Sequence, residues 1–351
     1  MASYTVLANR YRPHGFAEVV GQGDVARVLQ TSLASGRAAH AFLFSGPRGV
    51  GKTSMARILA KALNCLENGA GEPCNRCRVC EAIAGHGDAL DVVEIDGASH
   101  NRVENVRELI ENLRFRPVEA RYRITIVDEV HMLSTAAFNA LLKTLEEPPE
   151  HAKFILATTE PLKVPETIRS RCQMYDFARI PTVTIAERLD AILASEGVQA
   201  EDGVTRAVAR HAQGGMRDAL SLLDQLVTGA GEGGAPSLDD VRRLTGRFSP
   251  AVLSSLLSGC LDGDVPAVSA ATRELLAHGA RPADLVGQVS EVLEGVLVLV
   301  AGGQPADRAD DELQALRELA ARADLDGVLA MLDVLVEAGQ RLRQRHDGAL
   351  V

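Results

Sequence analysis

The sequence contains no tryptophan, and aromatic residues make up only 3% of its 351 residues. Its cores must therefore be built from Leu, Val, Ala and Ile, as in many helical proteins. No apolar run reaches the roughly 18 residues that a membrane-spanning helix needs, and the first residues, MASYTVLANRYRP, lack the apolar stretch of a secretory signal. These absences predict a cytoplasmic protein that does not enter a membrane.

Lysine is scarce as well, with five residues in the whole chain, so arginine carries most of the positive charge. Acidic residues number 47 against 37 basic ones, and the net charge is −10. This balance excludes a protein that coats nucleic acid with its whole surface, but it leaves room for a local basic patch. Hydrophobic residues make up 46% of the chain, which favours two or three folded domains over disorder.

Strand and helix patterns alternate through residues 1–178. Because parallel strands are joined by helices, this alternation predicts an α/β core with a five-stranded parallel sheet covered by helices. One of these helices is predicted to begin after Ser134 and to end before Pro148. The predicted strands are the apolar, β-rich runs at residues 41–44, 92–95, 124–127, 154–157 and 174–177.

Strand signals disappear after the core. Residues 179–243 carry apolar side chains at helical spacing and predict a small helical lid domain. A Gly-rich stretch at 229–237 predicts a flexible loop, and Ser237 can cap the helix that follows. Residues 244–351 predict a further helical domain.

A phosphate-binding loop is the clearest motif. GPRGVGKT (46–53) follows a predicted strand directly and opens a predicted helix, so backbone N–H groups and the helix N-terminus point at a phosphate. Lys52 would reach the β- and γ-phosphates of a nucleotide, and the Thr53 hydroxyl would ligate Mg²⁺. The candidate nucleotide-binding residues are Gly46, Pro47, Arg48, Gly49, Val50, Gly51, Lys52 and Thr53.

Two carboxylates end the predicted strand in ITIVDEVH (124–131). A buried strand can hardly carry them without a cation or a donor that satisfies them. Asp128 would hold Mg²⁺, directly or through water, and Glu129 would polarise a water for attack on the γ-phosphate. The alternatives are two solvated acids at a strand end, or a P-loop kinase. A glutamate directly after the aspartate favours hydrolysis over transfer to a substrate.

Four of the six cysteines fall within residues 65–80, in the pattern C-x8-C-x2-C-x2-C. Thiolates at this spacing can surround one ion, and in a cytosolic chain a closed, structural Zn²⁺ site is favoured over an iron–sulfur cluster or a dithiol redox pair. Cys172 and Cys260 are isolated and are predicted to be packing residues. The candidate zinc ligands are Cys65, Cys74, Cys77 and Cys80.

Three further polar residues lie near these motifs. Thr159, at the end of a neighbouring predicted strand, could orient the attacking water. Arg171, beyond the sheet edge, is either a surface residue or an arginine finger presented to a neighbouring subunit. Arg217 opens a predicted helix, where it is either an exposed residue or one that closes on bound phosphates.

Together these motifs resemble the gamma/tau subunits of bacterial DNA polymerase III clamp loaders, which are AAA+ ATPases. The resemblance covers residues 4–225, and from residue 244 onward it is only positional and compositional. The stretches that carry it are RYRPHGFAEVVGQ (10–22), HAFLFSGPRGVGKTSMARILAKALNC (40–65) with the cysteine insert, the stretch from VDEVHML to TIRSRC (127–172) and GGMRDALSLLDQ (214–225).

The resemblance implies site roles as well. For the phosphate loop and the two carboxylates it implies the roles already argued. It implies that Thr159 is sensor 1, that Arg217 is sensor 2 and that Arg171 acts in trans on the ATP of a neighbouring subunit. It further implies an adenine pocket lined by Tyr11, Arg12 and Pro13.

The resemblance also implies partners. The C-terminal domain would be a collar through which copies of this chain and the delta and delta-prime subunits form an open spiral. The spiral would hold a sliding clamp and primer–template DNA, and a longer form would add regions that bind the polymerase core and the helicase. Solvated helix charges are the alternative for the implied DNA contacts, which are Arg102, Arg107, Lys143 and Lys163.

The predicted function is an ATP-hydrolysing motor subunit that loads the sliding clamp during replication, with ATP, Mg²⁺ and Zn²⁺ as cofactors. The first alternative is a non-hydrolysing loader subunit of the delta-prime type, which usually carries a degraded phosphate loop. The second is another AAA+ DNA motor, of the Holliday-junction helicase type. No polymerase active site is predicted in this chain.

Overall fold

A computed structural model describes residues 5–67, 71–85, 89–231, 233–277, 280–305, 308 and 310–344. The chain divides into two compact units. The first comprises Met1–Gly197 and Val208–Gln225, and the second comprises Val198–Ala207 and Leu226–Val351. The border between the units runs through the region predicted to be the lid, and the division into three domains stays a prediction.

The first unit is built around a five-stranded sheet in the order β2-β3-β4-β1-β5, with every neighbouring pair parallel. The fold prediction is confirmed, and each strand begins and ends within two residues of its predicted bounds. The strands are β1 (Ala41–Ser45), β2 (Val92–Asp96), β3 (Arg123–Asp128), β4 (Ala152–Thr158) and β5 (Gln173–Asp176).

The central strands are apolar on both faces because helices cover both sides of the sheet. In β1, Phe42 and Phe44 pack into one buried cluster, while Ala41 and Leu43 pack into the other. This alternation follows from the period of two in a strand.

The second unit is helical. In chain order the helices of both units are α1 (Leu7–Arg10), α2 (Gly23–Ala34), α3 (Lys52–Asn64), α4 (Arg78–Ala84), α5 (Val103–Asn112), α6 (Thr135–Glu146), α7 (Glu166–Arg169), α8 (Thr182–Glu196), α9 (Val204–His211), α10 (Met216–Ala230), α11 (Leu238–Thr245), α12 (Pro250–Asp262), α13 (Val265–Ala277), α14 (Pro282–Val300), α15 (Asp310–Ala320) and α16 (Leu325–Gln344).

Two predicted helix caps are present. The Ser134 hydroxyl accepts a hydrogen bond from the Ala137 N–H at the start of α6. Ser237 and Asp240 form a reciprocal capping box at the start of α11. The Gly-rich stretch 229–237 is predicted as a loop, but its first two residues belong to α10, and residue 232 lies outside the described residues.

The second unit has a core of leucine and valine side chains from α12, α14, α15 and α16. No described helix is both long enough and apolar enough to cross a membrane. Cys172 packs against a core cluster of the first unit, as predicted. The packing prediction for Cys260 is wrong, because the last turn of α12 leaves this side chain exposed.

Candidate active site and candidate metal centre

The phosphate loop joins β1 to α3 through a backbone that requires glycine. Gly46 has φ +145°, and a Cβ atom at this position would lie 2.3 Å from the Phe177 carbonyl oxygen. Gly51, the N-cap of α3, has φ +103°. Both conformations lie in the region that side chains disfavour, so the loop can follow this path only with glycine.

Lys52 begins α3 and is buried, with 6% of its surface exposed. Its ammonium donates to the carbonyl oxygens of Gly46 and Pro47, both at 2.8 Å. Burial lowers the pKa of Lys52, and the carboxylates of Glu129 and Asp128 oppose that shift. The ammonium therefore lies inside the loop, with two acids nearby.

Asp128 connects β3 to the phosphate loop. The Thr53 hydroxyl donates to Asp128 Oδ2 at 2.6 Å, and the Glu129 N–H donates to Asp128 Oδ1 at 2.9 Å. Gly97 makes room for this turn, because a Cβ there would lie 2.6 Å from the Glu129 carbonyl oxygen. A hydroxyl and a carboxylate facing each other are the oxygen ligands that Mg²⁺ takes.

Glu129 has φ +44°, a left-handed conformation that is uncommon for a residue with a side chain. Its carboxylate accepts hydrogen bonds from both the N–H of Thr159 (3.1 Å) and its hydroxyl (2.9 Å). Strain of this kind clusters at functional sites. The predicted general base and the predicted sensor 1 residue are therefore in direct contact.

His131 was not recognised from the sequence, although it lies in the same motif. Its imidazole Nδ1 is 3.0 Å from Thr158 Oγ1 and 3.4 Å from Glu129 Oε2, and its Nε2 is 3.3 Å from Glu160 Oε1. The ring is buried between two acids, with 6% of its surface exposed. A histidine three residues after the aspartate is the sequence signal for this contact.

One cavity of about 370 Å³ collects most of the predicted nucleotide residues. This volume lies in the range of small-ligand pockets. Among the predicted catalytic and nucleotide-binding residues, four do not line the cavity: Gly46, Pro47, Thr159 and Arg171. The predicted residues that do line it are Tyr11, Arg12, Pro13, Arg48, Gly49, Val50, Gly51, Lys52, Thr53, Asp128, Glu129 and Arg217.

Arg12 has a buried Nη1 atom without a hydrogen-bond partner among the described residues. Burial first, and then the neighbouring guanidinium of Arg57, lower the pKa of Arg12. A buried, unpaired donor at the wall of a cavity indicates an anionic ligand, because leaving it unsatisfied is costly. The residues present therefore fit a nucleotide phosphate.

Arg217 connects the start of α10 to the loop. Its N–H donates to the Gly49 carbonyl oxygen at 3.3 Å, and its side chain lines the cavity. Arg188 of α8 also lines the cavity and was missed, as was Glu18. An arginine in the middle of an amphipathic helix carries no sequence signal that separates it from a solvated residue.

Arg171 lies away from the cavity of its own chain. Its guanidinium donates to Glu146 Oε1 and to the Thr167 carbonyl oxygen, both at 2.7 Å. One third of the side chain remains exposed. The predicted DNA contacts Arg102, Arg107, Lys143 and Lys163 are all exposed, and Lys163 pairs with Glu160 at 2.8 Å.

The four cysteines of the insert form one cluster, with all four sulfur atoms within 4.8 Å of one another. A tetrahedral Zn²⁺ with four thiolates has S–S edges of about 3.8 Å, so small shifts would close the site. Burial raises the pKa of the Cys77 thiol, but N–H groups of Leu66 and Cys80 outweigh it and lower that pKa to about 7. Burial raises the pKa of Cys65 and of Cys80. The closeness of the four sulfur atoms shows that the cluster can hold a metal ion.

Two family models match the chain. The model described as "DNA polymerase III, delta subunit" matches residues 21–181, and the one described as "DNA polymerase III clamp loader subunit, ATPase lid domain" matches residues 184–232. DNA polymerase III subunit tau of Bacillus subtilis is 42% identical over 353 residues, which cover 97% of this chain and 60% of that protein. Subunit tau of Escherichia coli K12 is 42% identical over 320 residues, which cover 91% of this chain and 49% of that protein.

A solved structure with a similar fold is the RuvB Holliday junction branch migration motor of Thermotoga maritima. It has a TM-score of 0.50 and 17% identity, and the match covers 72% of this chain and 79% of that one. The parallel sheet and the phosphate loop define a P-loop NTPase core. The chain belongs to the gamma/tau family of DNA polymerase III clamp-loader subunits, and it spans about half to 60% of the length of the relatives just named.

Proposed function

We propose that this chain is an ATP-hydrolysing motor subunit of a DNA polymerase III clamp loader, which loads the sliding clamp onto primed DNA in the cytoplasm. The observation that carries the proposal is a complete set of groups around one cavity. Lys52, Thr53, Asp128 and Glu129 all line it, and the Thr53 hydroxyl lies 2.6 Å from Asp128 Oδ2. A delta-prime-type subunit without hydrolysis would not need this set intact.

ATP would bind with its phosphates along the loop. The N–H groups at the start of α3 and the Lys52 ammonium would contact the phosphates, and Arg12 and Arg217 would add positive charge from the cavity wall. Thr53 and Asp128 would hold Mg²⁺, which neutralises charge on the phosphate oxygens when bound. The resemblance implies that Tyr11, Arg12 and Pro13 line the adenine pocket. Tyr11 and Pro13 are proposed to do so, whereas Arg12 is assigned to the phosphates because its Nη1 is buried without a partner among the described residues.

Glu129 would act as the general base for the attacking water. In the structure its carboxylate is bound by Thr159, so this threonine orients the base and would also contact the water. His131 approaches the same carboxylate oxygen, with its Nδ1 3.4 Å from Oε2. Two residues thus position the base, and such positioning contributes to catalysis.

Arg171 is proposed to act on the ATP of a neighbouring subunit. A finger that works in trans must lie outside the cavity of its own chain, and Arg171 does so. Its pair with Glu146 is half-exposed, and such pairs contribute little stability. Release of the guanidinium to a γ-phosphate would therefore cost little.

DNA binding is proposed for the exposed cations of the first unit. Arg102 and Arg107 belong to the start and the body of α5, and α5 packs against α6, which carries Lys143. Confining positive charge to one face would reconcile DNA binding with a net charge of −10. Lys163 would exchange its partner Glu160 for a DNA phosphate.

The cysteine cluster is proposed to hold one structural Zn²⁺ through Cys65, Cys74, Cys77 and Cys80. The partners are proposed to be further copies of the chain, the delta and delta-prime subunits, and the sliding clamp. The helices from residue 244 onward would form the collar, residues 1–178 the motor core and residues 179–243 the lid.

The proposal is tested by steady-state ATP hydrolysis, measured with and without sliding clamp, primed DNA and the two partner subunits. Clamp and primed DNA together should stimulate hydrolysis strongly, and Arg171→Ala should remove the stimulation while ATP still binds. Arg27→Ala is the matched control, because Arg27 pairs with Asp24 at an exposed helix start. A rate of ATP hydrolysis that is the same with and without clamp and DNA would contradict the loader assignment.

A further inference from the structure

The cysteine module, residues 65–80, is connected to the nucleotide cavity through a buried lysine. Lys61 of α3 is 3% exposed. Its ammonium donates to the Asn75 side-chain oxygen within the module at 2.7 Å, and to the His14 carbonyl oxygen at 2.6 Å. His14 directly follows Pro13, which lines the cavity. One buried cation therefore ties the module to the chain segment at the cavity wall.

A carboxylate of the module makes a second connection. Glu72 Oε1 accepts from the Phe16 N–H at 2.7 Å, and its Oε2 accepts from the Gln30 side chain at 2.5 Å. A Cβ atom on Gly15 would lie 2.3 Å from Glu72 Oε1, so the carboxylate lies close against the backbone of residue 15. The backbone at residues 15 and 16 thus lies directly against the module.

The segment of residues 11–18 also lines the nucleotide cavity. The His14 N–H donates to Glu18 Oε2 at 2.8 Å, and Glu18 lines the cavity together with Tyr11, Arg12 and Pro13. Residues 11–18 contain one short 3₁₀ turn, at Phe16–Glu18. The contacts to the module help to hold this segment in place, together with the Tyr11 hydroxyl at Glu196 and the buried Phe16 side chain. A binding segment that is already ordered loses less conformational entropy when the ligand arrives.

We propose that Lys61, Glu72 and Asn75 are positioning residues, through which the cysteine module holds residues 11–18 in the arrangement that binds ATP. The inference rests on the proposed function, because it takes ATP as the ligand of the cavity and Zn²⁺ as the ligand of the cysteines. If the two sites are connected in this way, each ligand raises the affinity for the other by the same factor.

Two variants remove the connection and leave the cysteines in place. Glu72→Ala removes the acceptor of the Phe16 N–H. Asn75→Gly removes the acceptor of Lys61, and glycine suits the φ of +57° at this position. Glu67→Ala is the matched control, because Glu67 is an acid of the same module that pairs with exposed Arg76.

We expect Glu72→Ala and Asn75→Gly to weaken equilibrium binding of Mg²⁺-ATPγS by about tenfold, and to raise KM for ATP with little change in kcat. Each variant should still bind one zinc per chain, measured by atomic emission. The control should bind the nucleotide like the wild type. Wild-type affinity in both variants, with zinc retained, would overturn the inference.

A measurement on the wild type needs no substitution. Zinc affinity is measured by competition with a chromogenic chelator, with and without saturating ATPγS, and the nucleotide should tighten zinc binding. If the zinc affinity is the same with and without ATPγS, the inference is overturned. This outcome is decisive even if one of the variants has lost its zinc. A wild type that binds no ATPγS would instead contradict the proposed function, and the inference with it.

Discussion

The phosphate loop and the helices of the second unit are held by different kinds of interaction. In the loop, single atoms decide the structure: Gly46 lies against the Phe177 carbonyl oxygen, and the Lys52 ammonium is bound by two carbonyl groups. In the second unit, leucine and valine side chains from four helices fill a shared core. Cores of this kind tolerate replacement by side chains of similar volume, whereas a loop that requires a left-handed backbone does not.

This difference predicts that substitutions in the two regions have separate effects. Variants of the cavity should change chemistry and leave the stability of the second unit unaltered. Variants of the helical core should change stability and leave nucleotide affinity unaltered.

The largest effect is expected for Glu129→Gln. Loss of the general base should lower kcat for ATP hydrolysis by about 10³-fold while ATP affinity changes little, because the amide keeps the shape of the side chain. Steady-state phosphate release and equilibrium nucleotide binding measure the two quantities. Glu147→Gln, at an exposed position after α6, is the control. A kcat close to that of the wild type would contradict the role given to Glu129.

The second effect concerns the helical core. Leu293 of α14 is 3% exposed, and Leu293→Ala should destabilise the second unit by about 3 kcal/mol through lost burial and a cavity. Chemical denaturation followed by circular dichroism measures the change. Leu293→Met, which keeps most of the volume, should cost about 1 kcal/mol or less. A marked loss of ATP affinity in Leu293→Ala would show that the two regions are not separate.

The same contrast explains what the sequence could predict. The five strands, the caps at Ser134 and Ser237 and the phosphate loop were predictable, because each depends on a local pattern of apolar, capping or glycine residues. The cysteine cluster was predictable because its spacing is short.

Contacts between distant segments could not be predicted in this way. The approach of His131 to Glu160, the bond from Arg217 to Gly49 and the place of Arg188 at the cavity depend on how separate elements pack. The burial of the unpaired Arg12 Nη1 atom also becomes visible only when the chain is folded. Neighbouring positions along a helix give no information about which distant loop a side chain meets.

The smallest effect is expected at the start of α11. Ser237→Ala removes the N-cap oxygen and should cost about 1 kcal/mol of stability in the second unit, while Ser237→Thr should keep most of it. The same denaturation experiment measures the change. An unchanged midpoint for Ser237→Ala would show that the capping box contributes nothing.

This cap should also depend on pH. The hydrogen bond from the Ser237 hydroxyl is the first cause that lowers the pKa of Asp240 below its ordinary value of 3.8. Because the folded-state pKa is lowered, the contribution is present above that ordinary value and is lost as the pH falls through the folded-state pKa. The difference between wild type and Ser237→Ala should therefore shrink in acid.

The central claim is that this chain binds ATP in the cavity formed by the phosphate loop and the end of β3. Calorimetric titration with Mg²⁺ and ATPγS tests it most directly, with the wild type and Lys52→Ala compared at the same concentration. The account predicts one saturable site per chain in the wild type and loss of that site in the variant. A wild type without binding, or a variant that binds equally well, would contradict it.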